Sequence, residues 1–136
     1  MNPHLQSFLE VFIAKRYRES RLHSAAKTSS AKKGNPLRGM DALYRELDER
    51  YCIPLPKGNQ QQEIAFVRQA LAKYKLATCY LLSAYESFNE QNMLVEEALE
   101  KIVGGSSTTI ISFLLGVAYF EGHSVGDRYL CIKEVQ

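Results

Sequence analysis

At 136 residues, 46% of them hydrophobic, the chain has the size of one domain and enough apolar content to build a core. No apolar run reaches the roughly 18 residues that a bilayer span needs, and the first residues place charge after apolar side chains, the reverse of a secretory leader. A net charge of +2 on such a chain excludes neither a protein nor a polyanionic partner, and a cytoplasmic protein without membrane contact is the expectation.

The charge is unevenly placed. Up to Arg38 the chain carries Lys15, Arg16, Arg18, Arg21, Lys27, Lys32, Lys33 and Arg38 against Glu10 and Glu19, a net +6, and the remainder is −4. A basic element on a mildly acidic body favours a polyanion, because each phosphate neutralised by Lys or Arg releases counterions. The eight cations are therefore candidate nucleic-acid contacts, with DNA expected ahead of RNA.

In chain order, Leu5, Phe8, Leu9, Phe12 and Ile13 recur at the spacing of one helical face and predict a first helix. Past Tyr17 the apolar face thins, and HSAAKTSSAKKGNPLRG (residues 23–39) predicts a fraying helix end and a mobile linker. Residues 1–38 thus form a basic N-terminal helix and linker, and 39–136 the rest of one compact domain. A short helix follows, with Asp41 able to cap it and Leu43, Tyr44, Leu47 and Tyr51 facing inward, before Pro54 and Pro56 stop it.

From residue 61 to 88, Ile64, Val67, Leu71, Tyr74, Thr78, Leu81, Tyr85 and Phe88 alternate steps of three and four, which predicts one long central helix. Leu94, Val95, Ala98, Leu99, Ile102 and Val103 predict another, ended by Gly104 or Gly105 in a left-handed cap, with Ser106 or Ser107 capping the next. In that next segment Ile110, Phe113, Leu114, Val117 and Ala118 fall on the inner face of a helix. The closing segment, RYLCIKEV, is apolar enough to dock as a strand or a helix.

The fold expected is therefore all-α: a single-domain bundle of about five helices whose C-terminal half is helix-turn-helix-like. Residues 97–122, EALEKIVGGSSTTIISFLLGVAYFEG, carry that expectation, with Ser107, Thr108 and Ser112 on the outward side of the third helix and able to meet bases or phosphates. No Arg, Lys, Asn or Gln lies between Ser106 and Phe120 to make the bidentate contacts that usually specify a base. Ile111, Leu115 and Tyr119 suit a protein interface instead.

The stretch from residue 81 to 122 resembles the C-terminal part of the phage late-gene antiterminator Q-type family: a leucine-rich helix with a tyrosine leads into a helix-turn-helix like that of sigma region 4, and the end is similar to Tyr119-Phe120-Glu121-Gly122. That resemblance implies a DNA-binding transcription regulator that also touches RNA polymerase, with Ser107, Thr108 and Ser112 at the family's DNA-facing positions. Read from the residues alone, two other functions stand beside it. One is a helical interaction module that inhibits or recruits a host complex; the other is a subunit of a nucleoprotein assembly that tracks a backbone without reading sequence. A homodimer is compatible with all three.

Enzyme chemistry finds little footing. His4, His23 and His123 are scattered, and Cys52, Cys79 and Cys131 form no CxxC pair and sit in apolar surroundings, so buried reduced thiols, no metal and no cofactor are expected. The Gly104-Gly105-Ser106-Ser107 turn lacks both the lysine of a phosphate-binding loop and a G-x-S-x-G pattern. Glu96, Glu97 and Glu100 read as a solvated helix face.

Overall fold

The structure, a computed structural model, describes residues 1–31, 34–105, 107–124 and 126–134. It is mixed α and β, which overturns the all-helical bundle and its helix-turn-helix half. Among the described residues there are four α-helices, α1 (Pro3–Phe12), α2 (Lys15–Ser30), α3 (Gln60–Leu71) and α4 (Val95–Ile102). Six strands accompany them: β1 (Cys52–Pro54), β2 (Thr78–Ser83), β3 (Gln91–Leu94), β4 (Thr109–Leu114), β5 (Val117–Glu121) and β6 (Arg128–Ile132). The strands form one sheet in the order β1-β6-β5-β4-β2-β3, antiparallel throughout.

Helices cover both faces of this sheet. On one side Leu5, Phe8, Leu9 and Phe12 of α1, with Leu37, Met40 and Leu43 from the turns that follow α2, pack against Cys52, Leu82, Ile110, Ala118, Phe120 and Cys131. On the other, Ile64, Val67 and Leu71 of α3 and Val95, Ala98, Leu99 and Ile102 of α4 pack against Cys79, Leu81, Ile111, Phe113, Val117, Tyr119 and Leu130. Two-sided burial explains the misreading of the strands. A strand covered on one face alternates apolar and polar, whereas one covered on both is a continuous apolar run, which a helical template also fits. All five residues of β5 are buried.

The long helix expected over 61–88 accordingly stops at Leu71. Its first three apolar positions, Ile64, Val67 and Leu71, face the core as a helix should, but Lys75 adopts a left-handed φ of 51° and turns the chain into β2. From there Cys79 and Leu81 face one helical layer while Tyr80 and Leu82 face the other. The N-terminus of α3 is fixed by a capping box between Asn59 and Gln62.

Residues 97–122 answer to neither a helix-turn-helix nor a pair of helices. α4 forms where the sequence places a helix, but it ends at Val103 in extended backbone (φ −61°, ψ 120°) and not in a left-handed cap; Gly104, at φ +84°, is the second corner of the turn that follows, closed by Gly105 N–H donating to Ile102 O (2.9 Å). The next segment is the hairpin β4 and β5, closed by Leu115 and Gly116, the latter at φ +82°. Threonine and paired isoleucines at the start of β4 are β-branched and favour extended backbone.

Two more elements differ from expectation. The fraying end and the first part of the linker are instead a 16-residue helix, α2, in which Ala25 is the buried residue, and the linker's described end is a 3-10 turn, Pro36–Gly39, that buries Leu37. The short helix after Asp41 is a 3-10 turn, Leu43–Glu46, without a side-chain cap; Asp41 instead accepts a hydrogen bond from Thr108 at 2.7 Å. Leu43 and Leu47 are buried beneath partly buried Tyr44 and Tyr51, as their spacing predicts. No helix among the described residues is long and apolar enough to cross a membrane.

Candidate nucleic-acid interface

Helix α2 lies on the outer surface beside α1. At 3.6 residues per turn, Arg16, Ser20, His23 and Lys27 fall on one line opposite the buried Ala25, and all four are exposed. Arg16 lies over the Tyr17 ring, 4.8 Å from its centroid, which holds the guanidinium out on the ridge. Lys15 is exposed beside it. From Arg16 to Lys27 the ridge spans about 16 Å at 1.5 Å per residue, roughly five nucleotides of one strand at 3.4 Å each.

The other cations of this region are engaged. Arg18 donates through Nη2 to Ile13 O (3.2 Å). Arg21 donates through Nε and Nη2 to the two carboxylate oxygens of Glu46 (2.7 and 2.8 Å). That hydrogen-bonded pairing raises the Arg21 pKa above its ordinary value against the opposing effect of burial. Arg38 pairs with Glu86 at 2.6 Å on the surface. A cavity of about 410 Å³ touches both Arg21 and Arg38, together with Ser24 and Thr28, but each arginine there already has its carboxylate. Lys32 and Lys33 lie outside the described residues. Lys15, Arg16, Arg18 and Lys27 have no carboxylate within ion-pair distance among the described residues.

A groove of about 670 Å³ runs between α1 and α2, lined by Gln6, Glu10, Lys15, Arg18, Glu19 and His23. Lys15 and His23 lie at its rim, and the exposed Glu19 stands beside them, so the groove carries both signs of charge while Arg16 and Lys27 lie outside it.

The three hydroxyl residues do not join this surface. Thr108 is 2% exposed and bonded to Asp41. Ser107 is half-buried, and its carbonyl accepts from the Thr109 hydroxyl (2.9 Å). Ser112 sits in β4 with Oγ 3.3 Å from His4 Nδ1, while the His4 ring stacks on Tyr80 at 4.1 Å between centroids. Of the apolar positions assigned to an interface, Ile111 and Tyr119 are wholly buried; Leu115, at the hairpin tip, is 66% exposed.

Sequence reasoning missed a second polar cluster, deep in the other half. Arg128 Nη1 lies 2.6 Å from both oxygens of Glu63, and its Nε is 3.6 Å from Glu121 Oε1. Glu121 Oε1 also accepts from Gly104 N–H (2.6 Å) and the Tyr119 hydroxyl (2.8 Å). Burial, and then the adjacent Glu121, push the Tyr119 pKa far up. Glu63, Glu121 and Arg128 are 5%, 1% and 8% exposed, so the cluster fastens the start of α3 to β5, β6 and the turn after α4, sealed from solvent. An acid inside a helical stripe and an Arg in the closing segment gave no sign of each other across 65 residues.

The three cysteines are buried and free, as their surroundings predict. No protein-family model, curated protein or solved structure matches the chain.

Proposed function

We propose that the protein binds nucleic acid through its phosphate backbone, with the outward ridge of α2 as the contact and without a base-reading helix-turn-helix. What carries this reading is the outer side of α2: Lys15, Arg16 and Lys27 stand exposed, without carboxylate partners among the described residues, while Ala25, Tyr17 and Leu22 turn to the core. Cations that take no part in that packing can be there for the sake of a partner. Serine and histidine between the cations are also able to donate to phosphate oxygens. Such a protein is a nucleoprotein subunit or an accessory regulator that tracks a backbone, with duplex DNA the first probe and RNA the second.

The test is a fluorescence-anisotropy titration of a labelled 20-base-pair duplex at 50 and 200 mM salt. Three neutralised phosphates give a slope of about −2.7 in log K against log salt, a weakening of about 40-fold over that range. Scrambling the duplex sequence should change affinity by less than about twofold, because phosphate contacts carry no sequence information. Absence of binding at 50 mM salt, or binding insensitive to salt, contradicts the reading.

A further inference from the structure

Cys52 of β1 and Cys131 of β6 are direct partners in the antiparallel register, flanked by Ile53 opposite Leu130 and Pro54 opposite Tyr129. The neighbouring bonds define the position. Ile132 N–H donates to Tyr51 O (2.9 Å) and Leu55 N–H to Arg128 O (3.0 Å), so residues 51 and 55 hold hydrogen-bonding positions, and 52 and 54 lie at the alternate ones. Consistently, Cys52 N–H turns back to Asp48 O (3.0 Å), and Pro54 has no N–H to offer the ladder.

At such non-hydrogen-bonded positions opposite Cα atoms stand about 4.5 Å apart, with side chains rising close together on one face. That separation lies within the roughly 4.4–6.8 Å over which a disulfide closes without moving the backbone. Both side chains enter the same core, under α1, and are 4% and 0% exposed. Burial, and then the neighbouring Cys52, push the Cys131 thiol well up.

We propose that Cys52 and Cys131 form a reversible cross-strand disulfide that fastens β1 to the sheet, with a small-molecule disulfide such as oxidised glutathione as the oxidant. Access comes from the edge: β1 has three residues and pairs on one side only, with β6. Short edge strands open locally at a small fraction of the cost of global unfolding. In the opened state the Cys52 thiol loses its proton to water and attacks one sulfur of the oxidant, releasing one thiolate and leaving a mixed disulfide. Before β1 closes again, Cys131 loses its proton to water and attacks the Cys52 sulfur, expelling the second thiolate, and β1 then recloses over the new bond; the two released thiolates take up protons from water. Two protein thiols and one disulfide become one protein disulfide and two small thiols, so two electrons pass to the oxidant.

Cys79 serves as an internal control. Its register partner on β3 is Met93, whose carbonyl accepts from the Cys79 thiol at 3.6 Å, and burial pushes its pKa up to about 11. No cysteine stands opposite it.

The experiment equilibrates the full chain with oxidised and reduced glutathione at several ratios, quenches with acid, alkylates under denaturing conditions and maps peptides by mass spectrometry. A parallel sample is oxidised in guanidinium. The native chain is expected to lose two hydrogens, to link the Cys52 and Cys131 peptides only, and to leave Cys79 alkylated. Its melting temperature should rise by about 5–10 °C and return on reduction, as for a disulfide closing a long loop. The unfolded sample should give all three pairings. Full alkylation of Cys52 and Cys131 in the native chain at the most oxidising ratio, or pairings as scrambled as in guanidinium, overturns the proposal. Both readouts use the unmodified chain, so no variant has to fold.

Discussion

Arg21 and Glu46 meet side-on, Nε and Nη2 of the guanidinium on the two carboxylate oxygens at 2.7 and 2.8 Å, with side chains 20% and 19% exposed. This pair joins α2 to the Leu43–Glu46 turn across 25 residues, and it divides the basic helix into cations that hold the fold and cations that face outward. Substitution Arg21→Ala should therefore cost roughly 1.5–3 kcal/mol of stability, the range for hydrogen bonds to a charged group. Affinity for duplex should change by less than about twofold. Urea denaturation and anisotropy on the same variant separate the two; a large loss of binding with full stability would place Arg21 on the interface instead.

Arg128 is the buried counterpart of that division. Replacing it by Met leaves Glu63 in the interior without its cation, and breaking one side of a buried pair costs roughly 3–5 kcal/mol. Because the cluster joins α3, β5, β6 and the turn at Gly104, the loss should appear as one cooperative transition at lower denaturant. Denaturation followed by both circular dichroism and tyrosine fluorescence checks this; a variant as stable as the parent contradicts it.

Asp48 sets an acid dependence. Its carboxylate accepts from Arg50 Nε (3.0 Å), Nη2 (2.8 Å) and backbone N–H (3.1 Å), and these bonds, the side-chain ones first, hold its pKa below the ordinary carboxylate value against the effect of burial. A folded-state pKa that is depressed contributes stability above the unfolded value, near 3.9, and loses it as pH falls through the folded value. The Arg50 side chain is largely exposed, so screening limits the contribution to roughly 0.5–1 kcal/mol at pH 7. Asp48→Asn should lower stability by about that amount at pH 7 and by progressively less below pH 4. A deficit that stays constant down to pH 2 would contradict the assignment.

The sequence declared those elements that bury one face only. In α1, Leu5, Phe8, Leu9 and Phe12 form a clean stripe, and in α4 Val95, Ala98, Leu99 and Ile102 do the same. Strands β2, β4 and β5 were illegible for the opposite reason: with helices on both sides, a run such as Ile110, Ile111 and Phe113 loses its alternation and fits a helical stripe by chance. Helix α2 hid differently, since a helix with a single buried residue leaves almost no apolar period. As for the interface, the cations were visible as composition, but which were neutralised depended on partners 25 and 48 residues away, Glu46 and Glu86. The register that sets Cys52 against Cys131 was equally out of reach until β1 and β6 were known to pair.

The ridge on α2 is tested most directly by the triple substitution Lys15→Ala, Arg16→Ala, Lys27→Ala, with the salt dependence of duplex affinity measured beside that of the parent chain. Removal of three phosphate contacts should reduce the slope of log K against log salt by about 2.7 and weaken binding at least tenfold at 50 mM salt. The melting temperature should stay within about 2 °C, because the three side chains are exposed. An unchanged slope with unchanged affinity would contradict the account and move the nucleic-acid contact, if any, away from this helix.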